Sequence, residues 1–254
     1  MIGLNAIKFI NSLKIKKNRE LNQKAILEGY RLIYESINAG IKLDYLVVNE
    51  NFQENLLNKD PFKNLTIKYC SKNNFNKISD TKNSQGIIAI VDIKKYLHQS
   101  LEKLDNNNLV VLDGIQDPGN LGTIIRTCAW FGINSIVLTS GTVDPFNLKC
   151  IRSAMGAHFN LDNIIQDSRL NIINYLKNNY KNIYVADMEG ENLNKIKLVG
   201  NWALILGSEA HGISSEFKQF KKITIKKIGQ IESLNVSVAN GILINHLTSK
   251  LKRI

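Results

Sequence analysis

Cysteine, histidine and long apolar runs are all scarce in this 254-residue chain, and each shortage removes a class of protein. Its three cysteines, Cys70, Cys128 and Cys150, are odd in number, far apart and without a Cys-x-x-Cys pair, which argues against a disulfide framework and against a zinc site. They read as reduced packing thiols. The four histidines, His98, His158, His211 and His246, show neither His-x-x-x-His spacing nor a nearby cysteine pair, so no metal is expected. Apolar runs such as 136–139 and 202–206 stop far short of the roughly 18–20 residues that span a bilayer. The first 19 residues carry their charges after a weakly apolar part and have no small-residue cleavage site. No secretory signal is therefore expected, and the default location is cytoplasmic.

What the chain does have is positive charge and enough apolar residues for a core. With 44% hydrophobic and 22% charged residues it is globular, and its length allows one or two domains. Its 33 Lys+Arg against 22 Asp+Glu give a formal charge of +11, which favours polyanionic partners such as nucleic acid; compositional drift in a Lys-, Asn- and Ile-rich chain gives the same number. The excess is not a tail, because residues 1–93 carry 14 basic against 9 acidic residues and residues 94–254 carry 19 against 13. A polar, Asn-rich stretch at 94–107 separates a first domain, 1–93, from a second, 108–254.

In the first half, apolar spacing predicts a helix over 18–40, broken near Gly29, and strands at 45–48, 65–69 and 86–91, which together make a small α/β domain. The run Lys14, Lys16, Lys17 and Arg19 offers phosphate contacts, although an exposed charge run also suits a plain solvated face. The second half alternates short apolar strands (109–112, 135–138, 183–186, 202–206, 223–225) with helices (121–131, 145–155, 172–178, 236–251). That pattern predicts a parallel sheet covered on both faces, with ligands at the carboxyl ends of its strands.

Three strand-end loops have unusual composition. The first, DGIQDPGNLGTIIR at 113–126, has three glycines leading into a helix, but fits neither Gly-x-Gly-x-x-Gly nor a phosphate loop. An ordinary strand-to-helix turn, with Asn120 as a cap and Arg126 on a solvated face, accounts for it equally well. The second, GSEAHGISS at 207–215, sets Glu209 between two glycines. The third, 225–237, brings Ser233, Asn235 and Ser237 to the start of the last helix, where such residues also serve as caps.

Taken in order, LDGIQDPGNLGTIIRTCAWFGI at 112–133, LILGSEAHGIS at 204–214 and IESLNVSVANGILI at 231–244 resemble the SpoU/TrmH branch of the SPOUT superfamily, S-adenosylmethionine-dependent RNA ribose 2′-O-methyltransferases. The first half, through ILEGYRLIYESINAG at 26–40 and ISDTKNSQGIIAIV at 78–91, is similar to the substrate-binding domain of that family. The resemblance implies an α/β SPOUT domain with a parallel sheet and a deep trefoil knot, behind a small α/β RNA-binding domain. It implies S-adenosylmethionine held largely by backbone groups at Leu206, Gly207, Gly212, Ile225, Ile228 and Leu234. It also implies a homodimer with the site at the subunit boundary, and reacting-site roles for Asn120, Arg126, Glu209, Ser233 and Asn235. Ribosomal RNA is the preferred substrate, because the first half resembles the domain of rRNA-modifying members. A tRNA substrate and a catalytically silent RNA-binding protein are the alternatives. Arg152 fits a further RNA-phosphate contact, and His158 a packing role.

One departure stands out: Lys226 and Lys227 follow Ile225, where the family commonly has proline. Main-chain contacts survive that change, since proline adds only φ rigidity. Arg126 poses a chemical question. With an arginine pKa above about 12, a neutral base at pH 7 would cost roughly 7 kcal/mol before catalysis. A cationic Arg126 that binds phosphate and stabilises the developing alkoxide, oriented by Glu209, is the cheaper expectation.

Overall fold

The computed structural model describes residues 2–58 and 60–249 and divides into two compact units, 1–97 with 146–160, and 98–145 with 161–254. The sequence places 108–254 in one domain; in the fold, residues 146–160 belong with the first unit. No helix among the described residues is long and apolar enough to cross a membrane.

In the first unit a four-stranded mixed sheet runs in the order β1 (Lys24–Glu28), β4 (Ile87–Asp92), β2 (Leu43–Asn49), β3 (Ile67–Cys70). Strand β4 is antiparallel to both neighbours, and β2 and β3 are parallel. Helices α1 (Leu4–Ser12), α2 (Lys16–Asn22), α3 (Tyr30–Asn38), α4 (Lys72–Ile78) and α6 (Leu148–Ala154) complete the unit. One core joins Ile7 and Ile10 of α1, Phe75 and Ile78 of α4, Ile26, Val47 and Ile88 of the sheet, and Leu148 of α6. The helix expected over 18–40 is instead helix, strand, helix. Helix α2 ends at Gln23 in the left-handed region (φ 55°), Ala25–Leu27 is a continuous apolar run buried on both sides, and Gly29 (φ 113°) turns the chain into α3. A short apolar run satisfies a helical period by coincidence, and pairing with β4 decides the outcome. Helix α1 had no counterpart in the sequence reading.

The second unit is built on a six-stranded, wholly parallel sheet in the order β10 (Lys221–Thr224), β8 (Asn182–Asn192), β9 (Trp202–Gly207), β5 (Leu109–Asp113), β6 (Ser135–Thr139), β7 (Asn163–Asp167). Strand β7 is the one not foreseen. The central strands are buried on both faces: Leu109, Val111, Ala203 and Ile205 pack with Ile172 and Leu176 of α7 (Arg169–Asn179), and the alternate residues point the other way. Helix α8 (Val236–Ser249) packs on α5 (Pro118–Trp130) and meets β9. The last helix was expected to reach Leu251, which lies outside the described residues. Within 94–107, Leu101 and Leu104 are buried against the second core, so the polar stretch is anchored.

Candidate active site

Register brings the first two loops together. Asp113 at the end of β5 lies opposite Gly207 at the end of β9, so the loops that follow leave the sheet side by side, where chain order switches direction. Helix α5 then starts on a defined cap: the Asp117 side chain accepts from the Asn120 N–H at 2.8 Å, and Pro118 opens the first turn. In the second loop Ser208 and Gly212 form an isolated bridge, and the Gly212 N–H donates to the Ser208 carbonyl at 2.8 Å. A side chain at Gly207 would collide with the Gly212 carbonyl, so only glycine fits that approach.

The third loop closes the site. Glu209 Oε1 accepts from Asn235 Nδ2 at 2.7 Å, from Asn120 Nδ2 at 3.1 Å and from the Val236 N–H at 3.2 Å. Asn235 Nδ2 also reaches Asn120 Oδ1 at 3.0 Å, while Asn235 Oδ1 caps α8 by accepting from the Ser237 N–H at 2.9 Å. One carboxylate oxygen therefore ties three separated loops, and Glu209 remains exposed at their junction.

The expected residues are not all gathered here. Arg126 is exposed on α5, six residues beyond Asn120 and so about 240° round the helix, and makes no hydrogen bond or ion pair among the described residues. The expectation that Glu209 orients Arg126 is corrected: Glu209 binds two amides and a helix N–H instead. Ser233 is exposed and stands outside the cluster. Of the cofactor positions, Leu206 is buried at the end of β9, Gly207 lies tight against the Gly212 carbonyl, Gly212 bridges to Ser208, and Ile225 follows β10. Ile228 (92% exposed) and Leu234 (40%) lie in the irregular 225–235 segment.

In the first unit Lys16 and Lys17 are exposed on α2, with Lys16 3.7 Å from Glu20. Arg19 is a correction: it is 3% exposed and its Nη1 donates to the Leu13 carbonyl at 2.8 Å, so it folds the chain and is withdrawn from RNA. Lys14 Nζ donates to the Ser79 carbonyl at 3.1 Å, and Arg152 Nη1 to Asp80 at 2.8 Å. His158 packs among aromatic rings, with Nε2 3.8 Å from Cys150 Sγ.

Sequence reasoning missed a buried node beneath the site. Asp113, with its side chain 1% exposed, accepts from Arg169 Nε (2.9 Å), Thr139 Oγ1 (3.0 Å) and the Ser214 N–H (2.9 Å). The Gly114 N–H donates to the hydroxyls of Thr139 (3.0 Å) and Thr142 (3.2 Å). A charged residue at the end of an otherwise apolar strand was the available signal.

The profile of the SpoU rRNA Methylase family matches residues 107–245, more than half of the chain and all three loops. The chain belongs to this family. The MRM3-like substrate binding domain matches residues 5–89 of this SpoU-family chain. It is 32% identical over 246 residues to the 23S rRNA (guanosine(2553)-2′-O)-methyltransferase RlmP of Bacillus subtilis, covering 95% of each chain. It is 27% identical to the human mitochondrial rRNA methyltransferase 3, over 91% of this chain and 69% of that one. Among solved structures, an AdoMet-bound rRNA methyltransferase from Sinorhizobium meliloti superposes with a TM-score of 0.83 at 25% identity, over 98% of this chain and 97% of that one. A TrmH-family chain from Porphyromonas gingivalis gives a TM-score of 0.84 at 29% identity, over 97% and 98%.

Proposed function

We propose that this SpoU-family chain methylates a ribose 2′-hydroxyl of structured RNA with S-adenosylmethionine, and that ribosomal RNA is its substrate. The observation that carries the reading is the Glu209 junction with Asn120 and Asn235, which joins the three family loops at the strand ends. Full-length similarity to an enzyme named for 23S rRNA 2′-O-methylation supports the substrate. The residues suit the cofactor: the close approach of Gly207 to Gly212 excludes a side chain at 207, and Ile228, Ile231 and Leu234 of the third loop leave apolar surface exposed for an adenine.

When bound, S-adenosylmethionine supplies an electrophilic methyl group, which the 2′-oxygen takes with release of S-adenosylhomocysteine and a proton. The chain holds its own groups in place for that displacement. Backbone groups at Leu206, Gly207, Gly212, Ile225, Ile228 and Leu234 would hold the cofactor, and Asn120 and Asn235, fixed by Glu209, would place the ribose beside Ser233. Arg126 stays cationic, binds a phosphate and stabilises the developing oxyanion.

Arg126 shares its helix face with Trp130, one turn on and 84% exposed, while Val238 and Ile242 of α8 are 50% and 40% exposed. Apolar side chains of that size on paired helices support a homodimer in which Arg126 completes the partner's site. The reading includes the trefoil knot in the second domain, a first domain that gathers RNA through Lys14, Lys16, Lys17 and Arg152, and action in the cytoplasm. Ribose-methylation mapping of rRNA and tRNA from cells with and without the gene tests it. Loss of one rRNA site names the substrate, loss of a tRNA site corrects it, and loss of none, with no transfer to total RNA in vitro, favours a silent RNA binder.

A further inference from the structure

Glu28 ends β1, is 7% exposed, and has no cation in ion-pair range among the described residues. Its charge is met entirely by one turn about 50 residues later. Oε1 accepts from Ser79 Oγ (2.5 Å) and Thr81 Oγ1 (2.7 Å), and Oε2 accepts from the Asp80 N–H (2.8 Å). A carboxylate buried on neutral donors alone is costly to keep, and here all three donors come from consecutive residues. The turn is moulded around the anion.

Two cations distant in sequence converge on this turn. Lys14 Nζ binds the Ser79 carbonyl, and the Asp80 carboxylate takes Arg152 Nη1. Arg152 is 31% exposed and spends that one contact, so its other N–H groups remain for an anion. Lys82 is exposed two residues along. An arginine held on a turn that also binds one lysine and is followed by another gives a cationic surface of the kind that contacts nucleic-acid phosphates.

We propose that Glu28 is a positioning residue for RNA binding, acting through the 79–81 turn and Asp80 to hold Arg152 in a phosphate-binding orientation. The inference rests on the proposal that the substrate is RNA. Glu28→Gln keeps shape but replaces one acceptor with an NH₂ group, which faces either the hydroxyls or the Asp80 N–H. Loss of the turn frees Arg152 from its set direction.

The test is equilibrium binding of protein-free large-subunit rRNA over a range of salt for wild type, Glu28→Gln, Arg152→Gln and the double variant. Each single change is expected to weaken binding about 5–10-fold and to lower the salt slope by about one phosphate contact. In the double variant binding matches Arg152→Gln alone, because both act through one group. Multiplying fold-losses, or a Glu28→Gln slope equal to wild type, overturns the relay. Should Glu28→Gln not fold, Thr81→Val, which removes one donor and keeps the carboxylate, takes its place in the same cycle, with a two- to threefold loss expected that vanishes beside Arg152→Gln; a loss that persists there overturns the relay. Methyl transfer by the wild type is scored separately. Intact transfer with a failed cycle removes only the relay, and an intact cycle without transfer removes only the enzymatic reading.

Discussion

Asp113 and Glu28 are both buried carboxylates at the ends of strands, each binding a loop N–H and at least one side-chain hydroxyl, yet they solve the problem of a buried charge differently. Asp113 has a cation, Arg169, against its Oδ1. Glu28 has none among the described residues, and the arginine associated with its turn sits one residue further out, on Asp80. The first arrangement neutralises its charge inside the fold and locks loops together. The second keeps the anion to shape a turn and leaves its arginine at the surface, where a ligand can use it.

The largest expected effect separates the two. Arg169→Met leaves Asp113 buried without its counter-charge and should cost about 3 kcal/mol in denaturant unfolding. Glu28→Gln strands no cation and should cost only about 1–2 kcal/mol, the worth of one or two mismatched hydrogen bonds. Equal losses would erase the distinction. Arg126→Lys, at an exposed site without hydrogen-bond or ion-pair partners among the described residues, should leave the unfolding midpoint unchanged while lowering turnover at least about tenfold, since a lysine loses the planar fork. Near-wild-type turnover would remove Arg126 from the reacting site. Asn235→Ala should cost about 1 kcal/mol as a lost helix cap, with a fall in turnover from the loosened Glu209 junction.

The smallest effect lies in pH. In the first unit the Lys94 N–H, with Lys24 at 3.3 Å, holds the Asp92 carboxyl below its ordinary range. A folded pKa below the unfolded one adds stability that is present above about pH 4 and is lost as pH falls further, with the lowered native pKa. Acid titration of Asp92→Asn against wild type should show that extra loss in the wild type alone.

The second unit was the more legible half. Its central strands contain short, fully apolar runs such as Leu109–Leu112, which no surface helix tolerates, and its three loops carry their glycines and amides in sequence. In the first unit β1 hid inside a helical period, and Arg19 read as a solvated charge although its guanidinium closes the turn after α1. The Glu209 junction joins residues the motifs already marked. The Asp113 node could not be foreseen in the same way, because its donors come from β6, α7 and the loop after β9, and nothing local to any of them announces a partner.

The segment 146–160 has a consequence for how such proteins can be recombined. The chain leaves the first unit after residue 97, returns for fifteen residues, and leaves again. No single cut therefore yields two self-sufficient pieces, and a chimera joined in the 94–107 stretch would pair one parent's α6 with the other parent's sheet. Exchange of substrate specificity between relatives requires two grafts made together, with residue 152 inherited from the same parent as residue 80.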